Sequence, residues 1–401
     1  MTGLCAFICR NFLIQGEAYM KLIHLSDLHL GKRVNELSML EDQEYILNET
    51  LKIIDTEKPD GVMIAGDVYD KAVPPAEAVK LFDDFLVRLS KRQLQVYIIS
   101  GNHDSPERLA FGGRLMELSG IHISPVYDGS VQPLSFDDRF GSVNIYLLPF
   151  IKDIHVKKYF PEAAINNYSD ALKTVIDNMN IDRNERNILA AHQYITDSER
   201  TGSEDMPLGG LDNVDPCVFE GFDYVALGHL HRPQNVSGER MRYCGSPLKY
   251  SFSEIQDQKS VTVVELGEKG NVTVRTVPLV PLRDMKEIKG KYDEITLRSY
   301  YENTSYQEDY IHIILTDEND VYNAVGKLRS IYHNLMKIDY DNSRTQHSSE
   351  IKEVKIEQKT PLELFAELFK MQNGREMTGE QEDFIREALE EIQETGRTGV
   401  L

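Results

Sequence analysis

Five short pieces of this chain carry side chains that can do chemistry: Asp27-Leu28-His29, Gly66-Asp67-Val68-Tyr69-Asp70, Gly101-Asn102-His103-Asp104, Ala191-His192 and Gly228-His229-Leu230-His231. Carboxylate, imidazole and amide oxygen together suit divalent ions of the manganese, iron or zinc kind. The absence of Cys from the set argues against a structural zinc or an iron-sulfur cluster. Asp27, His29, Asp67, Asn102, His192, His229 and His231 are more donors than one ion takes. Two ions about 3.5–4 Å apart share a ligand, and Asp67, with two oxygens, is the natural bridge. His229 and His231, two apart after a glycine, project to the same side of an extended segment.

These pieces need elements to position them. Each follows an apolar run, at 21–25, 61–65, 95–100, 187–191 and 223–227. Short runs rich in Ile, Val and Leu read as buried strands, so the polar residues fall at strand ends. That edge is where open α/β sheets bind ligands. Leu40, Leu47, Leu51 and Ile54 predict a helix over 38–57, stopped by Pro59. Val79, Phe82, Phe85, Leu86 and Leu89 predict the apolar face of a second over 75–91, and Ser105-Pro106 opens a third. Further strands are predicted at 142–148, 260–266 and 271–277, the last two joined as a hairpin by Gly-Glu-Lys-Gly. The alternation is that of an α/β fold.

A chain of 401 residues, 41% hydrophobic and 27% charged, is long enough for two to three domains with a sizeable core. No apolar run approaches the ~20 residues that span a bilayer, which excludes a helical membrane protein. Cys5, Cys9, Cys217 and Cys244 show no paired spacing, so neither a zinc module nor a disulfide framework is expected, and a reducing cytoplasm follows. Residues 1–19 make a poor signal peptide. Met20-Lys21-Leu22-Ile23 reads as a start that runs into the first strand, and 1–19 as an extension without a role.

The core is expected to fill 20–277. Pro278 and Pro281 mark a linker into a small α+β unit over 278–340, with strands at 310–315 and 335–339 around a helix at 319–330. His312 and His333 are read as structural or exposed, and His24 as buried in the first strand. His122, His155 and His347 are read as surface residues. A polar stretch at 341–360 reads as a flexible linker. Residues 361–395 return to helix, with Leu362, Phe365, Leu368, Phe384 and Leu389 on apolar faces and a capping box at Thr378 and Gln381. Such a pair buries little against itself and is expected to dock a partner.

The ordered motifs resemble those of the calcineurin-like metallophosphoesterase superfamily, whose pattern D-x-H, G-D-x-x-D, G-N-H-[DE], H and G-H-x-H is met at every position. His-Leu-Ser-Asp-Leu-His-Leu-Gly (24–31), Ala-Gly-Asp-Val-Tyr-Asp (65–70), Ile-Ser-Gly-Asn-His-Asp-Ser (99–105), Tyr-Val-Ala-Leu-Gly-His-Leu-His (224–231) and the segment 243–254 are similar, more narrowly, to the SbcD family of exonuclease subunits. The resemblance implies a two-sheet β-sandwich flanked by helices, followed by an α+β capping domain and a C-terminal helical pair. It gives Asp27, His29, Asp67 and His231 to one metal ion and Asp67, Asn102, His192 and His229 to the other, with manganese the implied metal. His103 is implied as proton donor or charge stabiliser at the scissile phosphate, and Asp70 as the carboxylate that orients His103. Archaeal and eukaryotic relatives carry His at the position of Asp70.

The implied activity is in-line hydrolysis of DNA phosphodiesters. It comprises double-strand exonuclease action driven by a long coiled-coil ATPase of the SbcC type, and single-strand or hairpin endonuclease action. The implied setting is DNA repair, recombination and replication in the cytoplasm, as a homodimer within a heterotetramer and away from any membrane. The formal charge of −21 runs against simple DNA binding. Bound ions and the partner offset it, and Lys32, Arg33, Arg108 and Arg114 are candidate phosphate contacts near the motif tips. Two other classes share the motifs: a metallophosphatase or cyclic-nucleotide phosphodiesterase, and a catalytically dead assembly protein. The extra C-terminal segments count against the first and the intact ligand set against the second.

Overall fold

The computed structural model describes residues 19–196, 198–204 and 213–342, and within the tail positions 362, 365, 366, 369, 370, 376–379, 381–386 and 388. The expected extension, the 341–360 linker apart from its first two residues, and much of the 361–395 helical segment therefore lie outside the described residues. The described residues up to Asp339 belong to one compact unit, and those from Tyr340 to a second.

The first unit is built on two six-stranded sheets. In the first sheet the strands Met20–Leu25, Gly61–Ala65, Gln95–Ile99 and Ile121–Ile123 run parallel. Antiparallel to Met20–Leu25 lies Ser260–Leu266, which pairs with Val272–Pro278 as the expected hairpin. In the second sheet Gly141–Leu147, Arg186–His192, Tyr224–Gly228 and Met241–Tyr243 run parallel. Pro133–Asp138 and Gln234–Asn235 close its edges antiparallel.

Strands buried on both faces read as unbroken apolar runs, because side chains alternate between two cores. Leu22, Met63, Ala65, Tyr97 and Ile99 of one sheet interlock with Val143, Ile145, Ile188, Ala190, Tyr224 and Ala226 of the other. Their neighbours Ile23, Leu25, Val62, Ile64, Val96 and Ile98 face outward under two helices, Leu40–Glu57 and Ala76–Lys91. The second sheet's outer face is covered by the helix Tyr168–Asp177, which is not among the expected elements although its buried Ala171, Leu172, Val175 and Ile176 recur at helical spacing behind the Asn167 cap. His24 points into the layer between the sheets, its Nδ1 2.9 Å from the Tyr224 hydroxyl.

Several expectations shift. Val79 lies 44% exposed while Ala78 takes its place in the core, since the helix turns its buried stripe through Ala78, Phe82, Phe85, Leu86 and Leu89. The helix opened by Pro106 is only Pro106–Leu109. His122 is no surface residue: half-buried, it stacks on Tyr97 with its Nε2 2.9 Å from Gln95 Oε1.

Beyond Pro278 the strands Met285–Gly290, Tyr310–Leu315 and Asn334–Tyr340 form a three-stranded sheet. It is tied to the first turn of the Leu40–Glu57 helix. Buried Asp42 accepts from Arg283 Nη1 and from the Tyr310 hydroxyl, both at 2.7 Å. In the second unit Thr378 N donates to Gln381 Oε1 at 3.0 Å, and Gln381 N donates back to Thr378 Oγ1 at 3.4 Å, the reciprocal cap read from the sequence. Among the described residues no helix is long and apolar enough to cross a membrane.

Candidate metal centre

Both sheets aim the C-terminal ends of their parallel strands at one place. Asp27 and His29 follow Met20–Leu25, Asp67 follows Gly61–Ala65, and Asn102 and His103 follow Gln95–Ile99. From the second sheet come His192, the last residue of its strand, and His229 and His231 just past Gly228. Asp27 (φ 52°), His29 (φ 44°), Asp67 (φ 48°) and His229 (φ 103°) all hold left-handed backbone. Non-glycine residues adopt it at a cost, and it turns each side chain sharply off its strand. Gly101 admits no side chain, because a Cβ there would collide with Asp67 Oδ1.

All seven predicted donors meet. His29 Nε2 lies 3.0 Å from His231 Nε2, and Asn102 Oδ1 lies 3.0 Å from both His192 Nε2 and His229 Nδ1. Asp67 Oδ2 stands between the groups, 3.6 Å from His29 Nε2 and 3.3 Å from His192 Nε2. The trios Asp27–His29–His231 and Asp27–Asp67–His192 each place ligand atoms within 4.8 Å of one another. So does His29–Asp67–His103. The His103 side chain is 20% exposed, however, against at most 2% for those of His29, Asp67, His192 and His231. Asn102, His103 and His229 border the open side.

Hydrogen bonds behind the cluster set which nitrogens face it. His192 Nδ1 donates to the Ala65 carbonyl at 2.8 Å, which turns Nε2 toward the cluster. His231 Nδ1 is 2.6 Å from Ser203 Oγ, which donates to buried Glu254. Lys259 holds Glu254 at 2.6 Å and donates to the His231 carbonyl at 2.7 Å. Gln43 Nε2 donates to the His29 carbonyl at 2.7 Å while its Oε1 accepts from Gly31 N at 2.9 Å. The Asp104 carboxylate takes Val68 N, Tyr69 N and Gly101 N at 3.1, 2.9 and 2.9 Å, joining the second and third motifs.

Asp70 corrects one expectation. Its carboxylate lies 2.7 Å from Lys32 Nζ and 3.6 Å from His29 Nδ1, whereas His103 Nδ1 meets the Asp70 main-chain carbonyl at 3.1 Å. The strand-end turn presents the carbonyl, not the carboxylate, to His103. Lys32 is thereby neutralised, whereas exposed Arg33, bonded to the uncharged Glu36 carbonyl, keeps its charge.

Residues 20–233 match the calcineurin-like phosphoesterase family, and residues 281–373 match the type 5 capsule protein repressor C-terminal domain. Over 374 residues the chain is 32% identical to the SbcD subunit of the SbcCD nuclease from Staphylococcus epidermidis, covering 92% of this chain and 98% of that one. It is 31% identical over 384 residues to the protein of the same name from Staphylococcus saprophyticus, covering 94% and 100%. The chain belongs to the SbcD family of calcineurin-like phosphoesterases.

The electrostatics of this family member's cluster suit cations. Burial pushes the Asp27 carboxyl up to about 6, His192 pulling it down and Asp67 adding to the rise. Burial also opposes ionisation of Asp67, yet His192 beside it holds its carboxyl well below the usual range. In return, against its own burial, His192 is pushed up to about 9 by Asp67. Desolvation and the facing His192 push His229 down to about 3, with Arg200 among the smaller contributors. Burial likewise lowers His29. Two inward carboxylates, one amide oxygen and a set of imidazole lone pairs are a donor set that fits divalent ions.

Gln43, Ser203, Glu254 and Lys259 escape a reading of the sequence alone, and Asp104 is named there in the third motif but given no role. Asp104 and Glu254 do lie inside the family-like segments 99–105 and 243–254, and that is the signal that could have found them. Gln43, Ser203 and Lys259 carry no local signal, because what they serve is brought to them by the fold.

Proposed function

We infer that this chain is a metal-dependent nuclease subunit that hydrolyses DNA phosphodiester bonds at the cluster between its two sheets. What carries the reading is the meeting of seven donors from five strand ends, with His29 Nε2 and His231 Nε2 3.0 Å apart and both rings buried. Asp27, His29, Asp67 and His231 would hold one ion, and Asp67, Asn102, His192 and His229 the other, with manganese the proposed metal. Two such ions supply positive charge at the phosphoryl oxygens and a more acidic water. The chain's own residues do the rest. The carbonyl of Asp70 fixes the His103 Nδ1 proton, so Nε2, 3.9 Å from Asp67 Oδ2, is left toward the cluster and can carry a proton to the departing oxygen. The Asp70 carboxylate steadies His29 and Lys32.

On this reading 20–277 is the nuclease domain, 278–340 the capping domain and 361–395 the docking segment for a coiled-coil ATPase of the SbcC type, in the cytoplasm. Phe111, Leu115 and Leu118, 82%, 74% and 85% exposed, support a second copy of the chain here, because three large apolar side chains so exposed within one short segment are costly in water. Manganese-dependent cleavage of hairpin and blunt DNA, with and without the ATPase, tests the function. Turnover of small aryl phosphate esters without any DNA cleavage would favour a metallophosphatase instead.

A further inference from the structure

A phosphate backbone is held by cations, and in this acidic protein most cations near the cluster are already neutralised. Lys32 is 2.7 Å from Asp70, and Lys259 is 2.6 Å from Glu254. Arg232 reaches Glu199 at 2.6 Å and Asp257 at 3.0 Å. Arg200 differs. Its guanidinium lies 3.6 Å from the centre of the Tyr194 ring, and among the described residues it has no carboxylate partner. Its Nε is buried without a hydrogen-bond partner among those residues.

The position is built rather than incidental. The Tyr194 ring that carries the guanidinium stands edge-on to His229, 6.5 Å between centroids. The Tyr194 hydroxyl donates to the Ser198 carbonyl at 3.2 Å. Gln234 grips Glu199 from both sides, accepting from its N–H at 2.8 Å and donating to its carbonyl at 2.7 Å. Gly202 N donates to Ser253 Oγ at 2.7 Å. The main chain is thus pinned before and after Arg200. A guanidinium stacked on an aromatic face keeps its in-plane N–H fork free for a planar pair of oxygens.

We propose that Arg200 holds a backbone phosphate flanking the scissile bond on the strand being cut. This rests on the nuclease reading above. The guanidinium stacks on the Tyr194 ring, and that ring meets the donor His229 edge-on, so one aromatic side chain links the guanidinium to the cluster. That places it alongside the neighbouring linkage rather than the one being hydrolysed.

The test compares the full-length wild type, Arg200→Gln and Arg200→Lys with manganese, on single-stranded oligonucleotides in which one linkage at a time is a neutral methylphosphonate. Arg200→Gln should lower kcat/KM about tenfold, mainly through KM, and should make the slope of log(kcat/KM) against log salt less negative by about 0.7, the contribution of one phosphate contact on a single strand. Arg200→Lys should recover most of that slope. At one flanking position the wild type should lose about tenfold on methylphosphonate substitution while Arg200→Gln loses no more. An unchanged salt slope, or losses that add at every linkage, would overturn the assignment and leave the nuclease reading intact. A wild type that cuts no oligonucleotide would overturn both.

Discussion

Replacing His103 by Ala separates two roles the geometry allows, since His103 stands within donor range of His29 and Asp67 and also on the open side. The ring's contacts with the Asp70 carbonyl at 3.1 Å and with Asp67 Oδ2 at 3.9 Å are modest. Losing one neutral hydrogen bond costs about 1 kcal/mol, so the melting temperature of a unit this large should fall by only about 1–2 °C. Losing a proton donor is another matter. General acid catalysis contributes about 10²–10⁴ in rate, equivalent to about 3–5 kcal/mol at the transition state. His103→Ala should therefore lower kcat on DNA by that factor while bound manganese, measured by elemental analysis after gel filtration, stays near two per chain. The defect should shrink on bis(p-nitrophenyl) phosphate, whose leaving group departs without a proton. Loss of one manganese per chain would make His103 a ligand, and an equal defect on both substrates would make it a charge stabiliser rather than a donor.

Three further outcomes are expected. Lys259→Met strands the Glu254 carboxylate, which burial alone would raise and Lys259 now holds well below the usual range. Breaking such a buried pair costs about 3–5 kcal/mol, read as a lower urea midpoint, and Lys259→Met with Glu254→Gln should recover much of it. Gly101→Ala drives a methyl into Asp67 Oδ1 and should weaken manganese binding at least about tenfold by calorimetry; wild-type affinity would refute the contact. His192, pushed up to about 9, keeps an extra proton in the metal-free fold. That stabilisation is fully present below pH 6.5 and is lost as pH rises through 9. Manganese binding at pH 8 should expel close to one proton, measured by calorimetry in buffers of different ionisation enthalpy, and no release would contradict the pairing with Asp67.

Local sequence was enough to mark the strand ends. Each donor follows an apolar run long enough for one buried strand, and the hairpin 260–277 and the Thr378 cap are encoded within a few residues of where they form. Residue type also set the donor chemistry, because carboxylate, amide and imidazole keep their preferences wherever they stand. The amphipathic helix Leu40–Glu57 followed from spacing alone, but that Gln43 on it would grip the His29 loop did not.

Only the tertiary structure could decide how the pieces meet. Asp27 and His231 are far apart in sequence, and it is the packing of two sheets through Leu22, Tyr97, Ile188 and Tyr224 that brings their strand ends together. The orientation of Asp70 depends on the turn past Asp67, which sends the carboxylate to Lys32 and the carbonyl to His103. Whether Lys32 or Arg200 keeps a free charge depends on which carboxylates the fold sets beside them. The sequence names the reactive groups through local pattern and residue chemistry; their partners are set by long-range packing, which no short window contains.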